Sequence, residues 1–157
     1  MRLTFTYIGK TDLSFIEQGI KLYSERVGRY ISFREQQIPD IKNRKNLSEF
    51  EQKKKEAHVL LDSFVDSEEV WLLDEKGQEM TSEELSDFLQ KKMNSGIKGL
   101  NFVVGGPYGF SEEVYIRAQG KLSLSRMTFS HQMVRMFFLE QLYRAFTIIK
   151  GEPYHHR

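Results

Sequence analysis

The stretch with the clearest chemical content is 102–113, FVVGGPYGFSEE. An apolar run stops at Gly105 and Gly106, Pro107 follows, and Gly109 precedes a helix start at Ser111. Adjacent glycines leave main-chain groups bare, so a ligand can come close to the backbone. Pro107 fixes its own φ and biases Gly106 towards extended backbone, which stiffens the turn. Glu112 and Glu113 fall in the first turn of the next helix, whereas a phosphate wants free N–H groups and positive potential there. The order G-G-x-x-G departs from G-x-G-x-x-G and no G-K-[ST] follows, so the Rossmann and P-loop readings are both weak. A neutral or cationic ligand suits the turn better, and the plain alternative is a turn that only joins strand to helix.

Other reactive residue types are sparse. With no cysteine, disulfides, thiolate zinc sites and a cysteine nucleophile all drop out. His58, His131, His155 and His156 show no HExxH-like spacing, so no metal is expected, and His58 is assigned no chemistry. A formal charge of +1 neither advertises nor excludes a nucleic-acid partner. Lys42, Arg44 and Lys45 cluster, Lys53 to Lys55 follow, and Arg157 ends the chain; on composition alone a solvated surface is the favoured reading.

The elements that must position these residues alternate between strand and helix. Leu3, Phe5 and Tyr7 alternate with polar neighbours as in a half-buried strand closed by Gly9. Leu13, Ile16, Ile20, Tyr23, Val27 and Tyr30 share one helical face, with Asp12 expected as its cap. Residues 33–38 read as a short strand ended by Pro39. A polar, basic segment over 40–46 leads to a helix carrying Leu47, Phe50, Ala57, Leu60, Leu61 and Phe64, with Asn46 and Glu49 at capping-box spacing. Residues 70–73 predict a buried strand feeding a polar turn at 74–77, and Thr81 with Glu84 predicts a capping box before a helix burying Leu85, Phe88, Leu89 and Met93. A second buried strand is expected at 100–104, a helix capped by Ser111, a short strand at 121–124, and a long, largely apolar helix from Met133 to Ile149. The pattern implies an α/β fold, a mainly parallel sheet with helices on both faces. Residues 1–157, with 39% hydrophobic and 29% charged residues, suit a single domain without a membrane span. The alternating start MRLTFTYIGK does not resemble a secretory signal, so a cytoplasmic protein is expected.

Taken together, WLLDEKG, FVVGGPYGF, LSLSRMTFSHQMVR, EQLYRAF and the terminal PYHH resemble the family of ribosomal RNA large subunit methyltransferase H, over essentially the whole chain. The resemblance implies a small SPOUT-class α/β-knot enzyme with a C-terminal trefoil knot, working as a homodimer. It implies S-adenosylmethionine as cofactor and N3 of a pseudouridine in 23S rRNA, within the ribosome, as the methyl acceptor. Carried over by position, the cofactor pocket comprises Leu73, Gly105, Leu124, Ser125, Arg126, Met127, Thr128 and Phe129. The chemistry that this reaction would need makes Arg144, Tyr154 and His155 the catalytic candidates: Arg144 to stabilise charge on the base, Tyr154 and His155 to stack on and hydrogen-bond to an extruded base. The tail is expected to reach the partner subunit's site, and Lys42 to Lys45 to contact phosphates. Without the resemblance, the rivals are a flavodoxin-like nucleotide or phosphate binder and a non-enzymatic ribosome-associated factor.

Overall fold

The computed structural model describes residues 1–156; Arg157, the last of the basic residues singled out above, lies outside the described residues. The alternating residues form β1 (Arg2–Ile8) and the three-and-four spacing forms α1 (Ser14–Val27), followed by β2 (Ser32–Ile38). Then come α2 (Glu49–Ser63), β3 (Glu68–Glu79), α3 (Ser82–Asn94) and β4 (Gly99–Val104). A short α4 (Glu112–Arg117), β5 (Gly120–Ser123) and the long α5 (Met133–Lys150) complete the chain. The strands make one five-stranded sheet in the order β2-β1-β4-β3-β5, and every pairing is parallel.

Parallel neighbours require crossovers, and the helices supply them on both faces. One face packs Leu3, Phe5, Leu100 and Phe102 against α1, α3 and α5. The opposite face packs Val70, Leu72 and Val103 against Ala57 and Leu60 of α2 and Val114 of α4. Phe138, Leu139, Leu142, Ala145 and Phe146 of α5 are all buried in the larger core. That explains why this helix is apolar over so much of its surface.

Several local expectations are corrected. Asp12 is not the cap of α1: the N-cap is Leu13, without a side-chain bond. Asp12 instead exchanges hydrogen bonds with Gln132, its N–H donating to Oε1 at 2.9 Å and its Oδ2 accepting from Nε2 at 3.0 Å. The capping box of α2 uses Ser48 and Glu51, two residues after the expected Asn46 and Glu49, because a serine hydroxyl receives the N3 amide at 3.1 Å. Leu47 and Phe64 therefore flank α2, and Phe50 is 75% exposed; the buried positions of the helix are Gln52, Glu56, Ala57 and Leu60. Thr81 and Glu84 do form their capping box.

β3 runs on through the stretch expected to be a turn. Its pairing with β5 shifts between Leu73 and Gln78, so Leu122 is the partner of both. The polar 74–77 segment bulges there. Gly77 permits it: a Cβ at that position would sit 2.6 Å from the main chain of Leu122.

Candidate active site

The bulge of β3 and the carboxyl ends of β4 and β5 open into one cleft of about 700 Å³. In open parallel sheets ligands collect at this edge, where loops leave the strands. Leu73 to Lys76 form one wall, 104–110 the floor, and the loop from Leu122 to His131 the other wall. The glycine turn is closed by the Gly109 N–H donating to the Gly106 carbonyl at 3.1 Å. Serines shape the facing loop: Ser123 Oγ donates to the Ser125 carbonyl at 3.0 Å, and Ser125 Oγ accepts from the Met127 N–H at 2.9 Å. Ser130 Oγ then accepts from the Met133 N–H at 3.1 Å, leading the loop into α5. Ser111 stands at the N-cap of α4 but makes no side-chain cap bond.

The structure brings most of the sequence-derived cofactor residues together. Leu73, Gly105, Leu124, Ser125, Met127, Thr128 and Phe129 all line the cleft. Arg126 is the exception: it is exposed and does not line the cleft, although both of its neighbours do. Sequence reasoning missed Asp74 and Tyr115, which also line it and hydrogen-bond to each other, tying the β3 bulge to α4. Burial, then the bond to Asp74, pushes the Tyr115 phenol well above its usual range. Only the aspartate in DEKG, directly after the apolar run, was available as a signal. Lys53 of α2 and His131 also reach the cleft. Burial, aided by the Arg135 cation, lowers the His131 pKa, which favours a neutral ring.

The lining is a test of ligand class. Leu73, Val104, Leu122 and Phe129 offer apolar surface, the glycines of the turn offer main chain, and the charged lining is mixed, Asp74 and Glu75 against Lys53 and Lys76. A planar base carrying a small charged group fits this set, and Glu112 and Glu113 in the first turn of α4 make its start a poor cradle for a polyphosphate. S-adenosylmethionine is such a ligand.

Arg144, Tyr154 and His155 gather in a second cluster organised by a residue the sequence reading passed over. Glu140 Oε1 accepts from Arg144 Nη2 at 2.6 Å and from the Tyr154 hydroxyl at 3.0 Å. Arg144 also lies over the Tyr154 ring, 4.8 Å from its centroid, and Tyr143 meets that ring edge-on at 4.6 Å. Arg144 Nη1 lies 3.4 Å from His155 Nδ1, and His155 Nε2 lies 3.2 Å from Glu83 Oε1. Since a guanidinium only donates, Nδ1 accepts and Nε2 carries the hydrogen donated to Glu83. Burial and the Glu140 bond push the Tyr154 phenol far up, so it remains a donor. Tyr154 and His155 are thus half-buried and held against α5 and α3 of their own chain.

The two clusters are neighbours. A side groove of about 260 Å³ shares Leu122, Ser123, Leu124 and Phe129 with the cleft and runs past Thr81 and Phe137 to Glu140 and Gln141. Among the described residues, no group of three or more histidine, aspartate or glutamate side chains could hold a metal ion, and no helix is long and apolar enough to cross a membrane.

Comparison with known proteins is consistent with this geometry. Residues 1–155 match the family described as "Predicted SPOUT methyltransferase". A protein of Christiangramia forsetii named "Ribosomal RNA large subunit methyltransferase H" is 58% identical over 157 residues, covering all of both chains. Proteins of the same name from Flavobacterium johnsoniae and Parabacteroides distasonis are 55% and 53% identical, the first over all of both chains and the second over 99% of each. A parallel α/β sheet, a cleft at its carboxyl edge and full-length identity above one half lead to one conclusion: the chain belongs to the SPOUT methyltransferases, in the ribosomal RNA large subunit methyltransferase H family.

Proposed function

We propose that this chain transfers a methyl group from S-adenosylmethionine to N3 of a pseudouridine in 23S rRNA, acting as a homodimer on assembled ribosomes in the cytoplasm. The observation that carries the reading is the adjacency of two unlike sites, a cleft of apolar and mixed-charge lining and an Arg144–Tyr154–His155 cluster, through one shared groove. We read residues 1–157 as one domain whose C-terminal segment forms the trefoil knot of the family.

Bound in the cleft, the cofactor supplies an electrophilic methyl group. Leu73, Gly105, Leu124, Ser125, Met127, Thr128 and Phe129 would hold it, and Arg126, exposed beside them, is free to meet RNA phosphate. Positioning of this kind can lower a barrier by about 7–11 kcal/mol. An imide nitrogen carries a proton in its neutral form, and negative charge spreads to the ring oxygens as that proton leaves. Arg144 and Tyr154 are both donors and suit those oxygens. His155 presents an Nδ1 lone pair, the proton acceptor of the cluster once the base displaces the Arg144 contact.

Lys53 lines the cleft, and Arg44 of the basic segment 42–45 is near enough to His131, another lining residue, to help lower its pKa. Both basic stretches, 42–45 and 53–55, serve as phosphate contacts, adding affinity and salt dependence without reading sequence. In a single protomer Glu140, which holds Tyr154, lines the groove beside its own cleft; in this reading the homodimer also brings that tail to the cleft of the partner.

The test is methyl incorporation from labelled S-adenosylmethionine into whole ribosomes, with the modified base mapped. Label at N3 of one pseudouridine is the expected result. Label at another atom, or none while the protein binds S-adenosylhomocysteine, overturns the assignment; tighter binding of a nucleoside phosphate than of S-adenosylhomocysteine favours the flavodoxin-like rival.

A further inference from the structure

Glu56 sits on α2 with 4% of its surface exposed, on the side of the helix that packs against the sheet. Gln52 Nε2 donates to its Oε1 at 3.0 Å, while Oε2 is buried without a hydrogen-bond partner. The carboxyl group lies directly against the glycine turn: a Cβ on Gly106 would stand 2.5 Å from both oxygens. Gly106 in turn lines the cleft. One face of the glycine turn therefore meets the ligand space and the other meets a buried acid.

An apolar side chain would fill that volume without leaving a buried acceptor unpaired, so packing alone does not call for glutamate here. The charged groups that face it are Asp40 and Arg44, which act on it in opposite senses and pair with each other at 3.3 Å. No cation is committed to Glu56 among the described residues. Burial accordingly raises its pKa, and the neutral acid is the form that the site tolerates.

We infer that Glu56 is a positioning residue for the methyl-donor cleft: its carboxyl group, steered by Gln52 and packed on Gly106, sets where the glycine turn stands and so how tightly the cofactor is held. The inference rests on reading the cleft as the methyl-donor site. The sign of its pH dependence follows from the site. As pH rises through the raised pKa, a carboxylate with one unpartnered oxygen replaces the neutral acid beneath Gly106, the turn shifts, and cofactor affinity falls.

Two measurements on the full chain test this. Calorimetry with S-adenosylhomocysteine should show Glu56→Ala binding about tenfold or more weakly than wild type. Glu56→Gln, which keeps the shape and the neutral form, should bind like wild type at low pH and lack the decline with rising pH expected of wild type. Amide hydrogen exchange without ligand should be faster at 105–109 in Glu56→Ala and normal in Glu56→Gln. Unchanged exchange and unchanged affinity in Glu56→Ala, or the same pH profile in wild type and Glu56→Gln, overturn the inference. Changed exchange together with no binding by wild type sinks the methyl-donor reading of the cleft and leaves the link between Glu56 and the turn standing.

Discussion

Tyr154 donates its hydroxyl hydrogen to Glu140 Oε1 at 3.0 Å, across fourteen residues and onto the same oxygen that receives Arg144 at 2.6 Å. A single carboxylate oxygen thus holds both donors that the proposed chemistry needs. Glu140→Ala should lower the methylation rate on ribosomes by about a hundredfold, the scale of one misplaced acid–base group. Affinity for S-adenosylhomocysteine should stay within about twofold of wild type, since Glu140 is outside the cleft lining. Single-turnover assays with calorimetry separate the two; a loss confined to cofactor binding would contradict this placement.

Deleting 153–157 should abolish methylation and leave cofactor binding nearly intact. If the tail serves the partner subunit's cleft, mixing this truncation with Gly106→Val, which crowds Glu56, should restore roughly a quarter of wild-type activity, as random pairing into two-fold dimers dictates. Strict inactivity of the mixture would assign the tail to the cleft of its own chain.

Replacing Lys42, Arg44 and Lys45 by alanine removes three of the charges assigned to phosphate contact. The ribosome concentration needed for half-maximal rate should rise, the rate at saturation should hold, and the slope of log affinity against log salt should fall by roughly two to three. Steady-state kinetics over a salt series measures all three. An unchanged slope would return this segment to ordinary solvated surface.

Gly77→Ala places a methyl group against the Leu122 main chain, where backbone, not a flexible side chain, would have to give. The variant should lose about 1–3 kcal/mol of stability, the usual cost of overpacking. Thermal unfolding followed by circular dichroism reads the change, and because Leu122 lines the cleft, cofactor affinity should weaken in parallel.

Much of the fold was legible because its signals are local. Alternation marked β1, unbroken apolar runs marked the heart of β3 and β4, and Thr81 with Glu84 announced α3. The misreadings arise where a distant partner outbids a local rule. Asp12 has the type and spacing of a helix cap, yet Gln132, far along the chain, claims it. Residues 74–77 have turn composition and do leave the ladder, yet only as a bulge, because β5 takes Gln78 and Glu79 back as partners. In α2, a helical stripe counted by hydrophobic type could not reveal that the inward positions include Gln52 and Glu56, because the glycine turn that Glu56 meets is fifty residues away and Gln52 is turned in to bond to Glu56. For the site, the resemblance located the cleft loop and the tail, except that Arg126 turns outward. It said nothing of Glu140, whose importance appears only once Arg144 and Tyr154 are seen to share it.

Arg135 is 1% exposed and donates from Nη2 to the Ile8 carbonyl at 2.6 Å and from Nη1 to the Gly9 carbonyl at 3.2 Å. The first strand is thereby fastened to the last helix. While this protein is being synthesised, α1 and α3 cover part of the apolar face of the opening strand, and that cover is complete only when the final helix clears the exit tunnel. A nascent chain halted before that point has no finished half to salvage, so quality control meets either the whole molecule or a ready substrate for proteolysis.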